Sequence, residues 1–215
     1  CQPTSGVPAI PASEVNLPTP VLRPAVLGNS KLPPIEVGYR KDLPPLYSPW
    51  NSPGWRNVPV WTLRRNEPWA RLPRFPTEVK LIQDGHTLAI VARCIEPDRV
   101  IAHAKRRDGL VAEDDSFQVY LATSGSSYVQ YAVNPAGYVL DAAGHQGSPR
   151  LSEPYVDWNS PVRAAAWRAG GEWLARLDLP LPAIAQTLGA LGIPRQWRIL
   201  LLRHRPARDG EPQET

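Results

Sequence analysis

The sequence has no methionine and only two cysteines, and it has no long apolar run. Two cysteines cannot supply the several bridges that stabilise small disulfide-rich scaffolds. No stretch approaches the roughly 20 apolar residues that a membrane-spanning helix needs. The chain must therefore be stabilised by a packed core, for which its 42% of apolar residues is sufficient.

The first third of the chain is short of acidic residues and rich in proline. Residues 1–76 hold 16 of the 26 prolines and nine basic against four acidic residues, whereas the remainder has a net charge of −1. Recurrent proline excludes helix and predicts an extended, proline-rich N-terminal arm over residues 1–57. The basic residues are scattered, so the arm suits an anionic lipid or acidic protein surface, and no nucleic acid partner is expected.

The chain opens on Cys1, followed by Gln-Pro-Thr-Ser-Gly. This start resembles a mature bacterial lipoprotein, and the resemblance implies acyl chains on Cys1 that anchor the protein to a membrane. The implied location is extracytoplasmic, in the periplasm or at the outer membrane, and the absence of Asp after Cys1 favours the outer membrane. An arbitrary chain end is the alternative. Cys94 then has no partner, and its alternating surroundings predict a buried free thiol.

From residue 77 onward short alternating segments dominate. They include TEVKLIQDG, HTLAIVARCIEP, SFQVYLAT, SSYVQYAVNP, VRAAAWRA, EWLARLDLPL and WRILLLRHRP, separated by turns such as Asp84-Gly85 and Gly170-Gly171. Segments of this length and spacing predict an all-β fold, an antiparallel β-sandwich of jelly-roll type. One helix is expected within PAIAQTLGALG, ending at Gly189 or Gly192.

Several of these phrases, taken in order, carry a family resemblance. TEVKLIQDGHTLAIVARCIEPD, RDGLVAEDDSFQVYL, YVQYAVNPAGYVLDAAG, GEWLARLDLPL and WRILLLR together resemble family 9 carbohydrate-binding modules and their DOMON-like relatives. The resemblance implies a β-sandwich over residues 58–206. The arm 1–57 and a polar tail, 207–215, have no counterpart in it.

Two adjacent acids, Asp114 and Asp115, precede the SFQVYL strand. Neighbouring strand residues point to opposite faces, so the two cannot act as a catalytic pair, and capping of backbone amides is expected. In the family this pair is a scaffold feature that occasionally lies near calcium, which makes Asp108, Asp114, Asp115 and Asp141 candidates for a calcium or structural role. Their spacing fits no EF-hand loop. No phosphate loop, nucleophile elbow or zinc-protease motif occurs, so the chain is not expected to be an enzyme.

The family's namesake activity is implied to use tryptophans that flank a sugar ring. The candidate sugar or partner contacts are Trp50, Trp55, Trp61, Trp69, Trp158, Trp173 and Arg203. The pattern departs at Arg176, where relatives often carry Glu, and at Leu200, where they often carry Asn, while Trp197 and Arg203 match. Some DOMON relatives bind haem through methionine, which is absent here, and the four histidines are too dispersed for zinc. No cofactor is expected beyond the lipid.

Two functions are compatible with these patterns. The favoured hypothesis is a non-catalytic lipoprotein, an accessory subunit that docks through its arm and sandwich on a membrane protein complex such as a respiratory or photosynthetic assembly. The alternative is a surface lipoprotein that binds glycans through its tryptophans. Docking predicts an arm buried against another chain, with Trp50 to Trp69 packed inside, whereas glycan binding predicts two tryptophans that face each other across an open cleft with polar side chains at its floor.

Overall fold

The computed structural model describes residues 34–64, 73–145, 158–208 and 213, and these form two β-sheets packed face to face. The elements, in chain order, are β1 (Gly38–Tyr39), β2 (Trp61–Thr62), β3 (Thr77–Gln83), β4 (Thr87–Ile95), β5 (Ser116–Ala122), β6 (Ser127–Val133), β7 (Val139–His145), β8 (Arg163–Ala169), β9 (Glu172–Pro180), α1 (Leu181–Thr187) and β10 (Arg198–His204). Short 3-10 turns occupy Pro53–Trp55 and Val111–Glu113. The predicted all-β sandwich is confirmed. Cys1 and Trp69 lie outside the described residues.

The strands divide into a larger and a smaller sheet. Sheet A has the order β1–β3–β4–β9–β8, and β2 pairs with β3 as well; sheet B has the order β10–β5–β6–β7. All pairs are antiparallel except β1 with β3. The chain crosses between sheets after β4, β7 and β9, as expected for a sandwich whose sheets share one core.

The core lies between the sheets and is built by strand alternation. Phe117, Val119 and Leu121 of β5 face Ile90 of β4 and Leu177 of β9 across it, and all five are essentially buried. Burial of a large aliphatic or aromatic side chain contributes roughly 1.5–3 kcal/mol, so this shared interior is the main stabilising element of the fold. The same alternation leaves a second face on each sheet, directed away from the core.

The outer face of sheet A is covered by the chain's own residues 43–58. Trp50, Trp55 and Val58 from this segment pack on Ile82 and Val91 of the sheet, and all five are buried. We call this surface the covered face. Residues 34–57 therefore lie against the sandwich, whereas the boundary proposed at residue 57 and the polar tail stay predictions.

The single helix of the described residues, α1, is seven residues long. It is followed by Gly189, whose φ of 73° is the left-handed conformation that ends helices, in agreement with the first of the two predicted stops. Among the described parts of the chain, no helix has the length and apolar character needed to cross a membrane.

Candidate functional site

The tryptophans proposed as contacts occupy different environments. Trp173 is fully buried in the core, and Trp50 and Trp55 are buried on the covered face. Trp158 is half-buried; its Nε1 donates to Thr187 Oγ1 at 3.1 Å, and its ring meets Tyr131 edge-on. Trp61 lies on the edge strand β2 with 37% of its surface exposed. These rings do not form one aromatic cleft, and the contact role proposed for them stays a prediction.

Cations of sheet A lie beneath the two tryptophans of the covered face. Lys80 Nζ lies 4.3 Å from the Trp50 ring centroid and donates to the Trp50 carbonyl at 3.1 Å. The Arg176 guanidinium lies 4.6 Å from the Trp55 ring centroid, and its Nε donates to Asp178 Oδ1 at 2.6 Å. Burial lowers the pKa of both cations. Arg176, where relatives often carry Glu, is thus part of internal packing between the covering segment and sheet A.

The aspartates proposed for a calcium or structural role are used as acceptors of protein hydrogen bonds. Asp114 accepts from the amides of residues 103 and 104 at 2.8 and 3.0 Å, and Asp115 accepts from that of residue 101 at 2.7 Å. Asp141 accepts from the Ser160 amide at 2.6 Å, and Asp108 accepts from the Asp141 amide at 3.1 Å. Within the residues that the structure describes, no three His, Cys, Asp or Glu side chains gather as metal ligands. The geometry is that of loop capping.

Arg203 belongs to a buried ionic group that we call the arginine–carboxylate cluster. Its members are Glu96, Asp115, Arg203, Arg205 and Arg208. Glu96 Oε2 accepts from Arg203 Nη2 at 2.7 Å and from Arg205 Nε at 2.9 Å. Burial alone would raise the pKa of Glu96, but the Arg205 hydrogen bond and the charges of Arg203 and Arg208 outweigh it and hold that pKa below its usual value. The cluster joins the ends of β4 and β10 to the start of β5.

The outer face of sheet B differs from the covered face in carrying tyrosine and glutamine side chains. Alternation along β5 and β6 places Gln118, Tyr120, Tyr128 and Gln130 on this face, and we call it the tyrosine–glutamine face. The register pairs Tyr120 with Gln130, and the neighbouring outward positions are small or aliphatic: Ala122, Ala132, Ala142, Gly144, Leu200 and Leu202. Ala122, Ala132, Ala142 and Leu202 are buried, whereas Gly144 and Leu200 are half-buried.

Hydrogen bonds fix the floor of the tyrosine–glutamine face. Gln118 Oε1 accepts from the Tyr120 hydroxyl at 3.2 Å and from Gln130 Nε2 at 3.3 Å, and Gln118 Nε2 donates to Ser116 Oγ at 3.0 Å. Two neighbouring polar groups have no such partner within the described part of the chain, namely the Tyr128 hydroxyl and the carboxamide oxygen of Gln130. They provide a donor and an acceptor on one strand, which a sugar hydroxyl can bond.

The two tyrosine rings form an aromatic pair with centroids 6.1 Å apart and tilted by 47°. Burial raises the pKa of each phenol, so both remain protonated donors at neutral pH. Tyr120 is largely buried, while Tyr128 is half-buried and closes over Gly144. The side chains of the face become more exposed toward Arg198, the first residue of β10. At the opposite end of the face, Val111 packs over the sheet. A ligand approaching from solvent would meet the Tyr128 end first.

The four residues of the tyrosine–glutamine face were not among the contacts predicted from the sequence. The signal was present in SFQVYLA and SYVQYAV, where glutamine and tyrosine occupy the positions that alternate with core residues. Arg176 and Leu200, the two positions at which the sequence departs from the family pattern, lie on different sheets. Leu200 is across from Tyr120 on this face, whereas Arg176 is under the covering segment of sheet A. Only Leu200 therefore changes the polarity of the candidate site.

Comparisons with known proteins identify the fold. No protein-family model and no curated protein matches the sequence. Two solved structures of a family 9 carbohydrate-binding module from Caldicellulosiruptor kristjanssonii are similar. The complex with glucose has 14% identity and a TM-score of 0.53, covering 80% of this chain and 78% of that one. The complex with cellotriose has 12% identity and a TM-score of 0.51, covering 83% and 79%.

A presumed carbohydrate-binding protein from Bacteroides uniformis also matches, with 18% identity and a TM-score of 0.49 over 60% of this chain. The match spans 63% of that protein, which is less than two thirds of its length. The family 9 matches confirm the expected sandwich of carbohydrate-binding-module type.

The hypothesis of an accessory subunit docked on a membrane protein complex is wrong. The solved structures that share the fold are carbohydrate-binding modules, which favours the glycan alternative. The physical reason lies in the arm, whose regularly spaced apolar residues and positive charge suggested a protein partner. Residues 43–58, which carry Trp50 and Trp55, cover the chain's own sheet A.

Proposed function

We propose that this chain binds a saccharide on the tyrosine–glutamine face of sheet B. The observation that carries the proposal is the position of the Tyr128 hydroxyl and the Gln130 carboxamide oxygen, which have no partner among the described residues, beside the Tyr120–Tyr128 ring pair. Sugars present both apolar ring faces and hydroxyl groups, so a site for them combines an aromatic surface with a few placed polar atoms. Two solved modules of this fold contain glucose and cellotriose, which supports the same class of ligand.

The proposed role is binding without catalysis, in line with the expectation from sequence. Asp114, Asp115 and Asp141, which lie beside sheet B, are occupied as caps or ion pairs, and no strand of the sheet places a carboxylate on the face. A general acid and base would need to converge on one bond of the ligand. The tyrosine–glutamine face is therefore proposed to bind a saccharide without catalysing a reaction on it.

Isothermal titration of the purified chain against a panel of neutral and acidic oligosaccharides tests the proposal. Tyr128→Ala should weaken binding by at least about tenfold, the cost expected for truncating a central aromatic contact. Tyr39→Ala is the matched control, because Tyr39 is exposed on the edge of sheet A. Loss of binding on Tyr47→Ala instead would move the site to sheet A, where Tyr47 contacts Trp167, and would contradict the proposal.

A further inference from the structure

The outward positions on the strands of the tyrosine–glutamine face carry no acidic side chain. Residues 116–133 and 188–204 contain no Asp or Glu, although they supply three of the four strands of sheet B and the loops beside them. The remaining strand, β7, holds a single acid, Asp141, which is buried and paired with Arg107. Alternation directs Asp141 away from the face, because Ala142 and Leu140 occupy the outward positions. None of the four strands of sheet B therefore places a carboxylate on this face.

Two arginines lie at the more exposed end of the face. Arg198 opens β10 on the same side as Leu200, and Arg195 precedes it in the loop; both are exposed. Neither forms a hydrogen bond or an ion pair within the part of the chain that the structure describes. Arg203, by contrast, points inward and forms an ion pair with Glu96. The guanidinium groups at this end are therefore available to a ligand.

Register places Arg198 within reach of the aromatic pair. Arg198 of β10 is paired with Ala122 of β5, and Ala122 is paired with Tyr128 of β6. Only this alanine therefore lies between the arginine and the tyrosine across the sheet. Adjacent strands are about 4.8 Å apart, which puts the two backbones about 10 Å from each other. Ala122 is 2% exposed, so a sugar ring lying against Tyr128 would pass above it, with any ring substituent on that side directed at Arg198.

We propose that the ligand of the tyrosine–glutamine face is an acidic saccharide, a uronate whose carboxylate pairs with Arg198. This inference rests on the proposed function and adds the class of ligand. A guanidinium is matched to a carboxylate because two parallel N–H groups can donate to its two oxygens. A neutral sugar has no carboxylate to accept hydrogen bonds from the two guanidinium N–H groups. The strands of the face also offer no carboxylate that could accept hydrogen bonds from its hydroxyls. Arg198 is thus the residue that determines specificity, and Arg195 adds a more distant positive charge.

The test compares uronates with neutral sugars of the same shape. Binding of α-linked trigalacturonate and β-linked trimannuronate is measured by isothermal titration beside their carboxyl-reduced forms, which keep every ring and linkage. We expect at least one uronate to bind about tenfold or more tightly than its reduced form, as for a lost charge-assisted hydrogen bond. Arg198→Gln should remove that preference, and added salt should weaken the uronate complex alone.

Arg163→Gln is the matched control, because it removes an equal charge from an exposed arginine on the outer edge of sheet A. The preference for uronate should survive in this variant. Equal affinity for reduced and acidic forms, or a preference that persists in Arg198→Gln, would overturn the acidic-ligand inference and leave saccharide binding standing. Failure of every neutral and acidic oligosaccharide to bind would overturn the proposed function itself.

Discussion

Gly144 supports the position of the Tyr128 ring, the most exposed part of the candidate site. A Cβ added at Gly144 would lie 2.4 Å from Tyr128 Cζ, so Gly144→Ala must displace the ring. Because the atoms in conflict are at the end of a side chain, the cost in the free energy of unfolding should be only about 0.5–1.5 kcal/mol. The affinity for the ligand should fall by about 1 kcal/mol or more, because the aromatic contact shifts.

Titration calorimetry and thermal unfolding of the same variant separate the two effects. Gly125→Ala is the control, since Gly125 lies in the turn before β6 and has no atom within 4 Å of the added Cβ. Unchanged affinity in Gly144→Ala would show that the ring of Tyr128 does not contact the ligand.

At the level of single residues, the alternation of side chains along a strand predicts which face of the sheet a side chain occupies. It predicts less well which other residues that side chain contacts. It separates Gln118 and Tyr120 from Phe117 and Val119, so the members of the tyrosine–glutamine face could be predicted from sequence. It cannot tell that Trp173 is central to the core while Trp61 is partly exposed, since both occupy strands. That difference depends on which strand lies at a sheet edge, a property of pairing between distant segments.

The covering segment 43–58 is an element whose stability depends on tryptophan burial. Trp55 is 1% exposed and contacts Arg176, so Trp55→Ala should lower the free energy of unfolding by about 3–5 kcal/mol. Trp61→Ala, a matched change at 37% exposure, should cost less than about 1 kcal/mol. Urea unfolding followed by circular dichroism measures both. Equal effects would mean that residues 43–58 do not stabilise sheet A.

At the level of elements, the strands of the sandwich follow from local alternation, and the cover of sheet A does not. The proline-rich segment predicts extended backbone, yet an extended segment has no periodicity that reveals its contacts. Its packing against Ile82 and Val91 joins residues about 30 positions apart. The hypothesis of a protein partner arose from this gap, because apolar residues in an arm suggest an external surface.

The whole molecule uses its two outer faces differently. Sheet A is closed by residues 43–58, whereas sheet B presents uncharged polar and aromatic side chains with arginines at one end. Covering one outer face adds a second, smaller apolar interior to the fold without a second domain. The face proposed to bind the ligand is held on a sheet that packs on the core, so we expect little ordering to be needed on binding.

The arginine–carboxylate cluster makes the stability of the whole molecule depend on pH. Glu96 has a folded-state pKa below the value of 4.5 for an unperturbed carboxyl, so the unfolded chain takes up the proton first as pH falls. Its contribution is present above about pH 4.5 and is lost as the pH falls through the folded pKa. Glu96→Gln should cost about 3–5 kcal/mol at pH 7, because Arg203 and Arg205 lose their buried partner.

Urea unfolding at pH 7 and at pH 3 measures this dependence. The difference in stability between the two pH values should be smaller in Glu96→Gln than in the natural chain, since the substituted side chain does not titrate. Asp98→Asn is the control: Asp98 also pairs with Arg205, but 48% of its side chain is exposed, so its loss should cost less than about 1 kcal/mol. If Glu96→Gln kept both the stability at pH 7 and the full acid sensitivity, the cluster could not be the origin of the pH dependence.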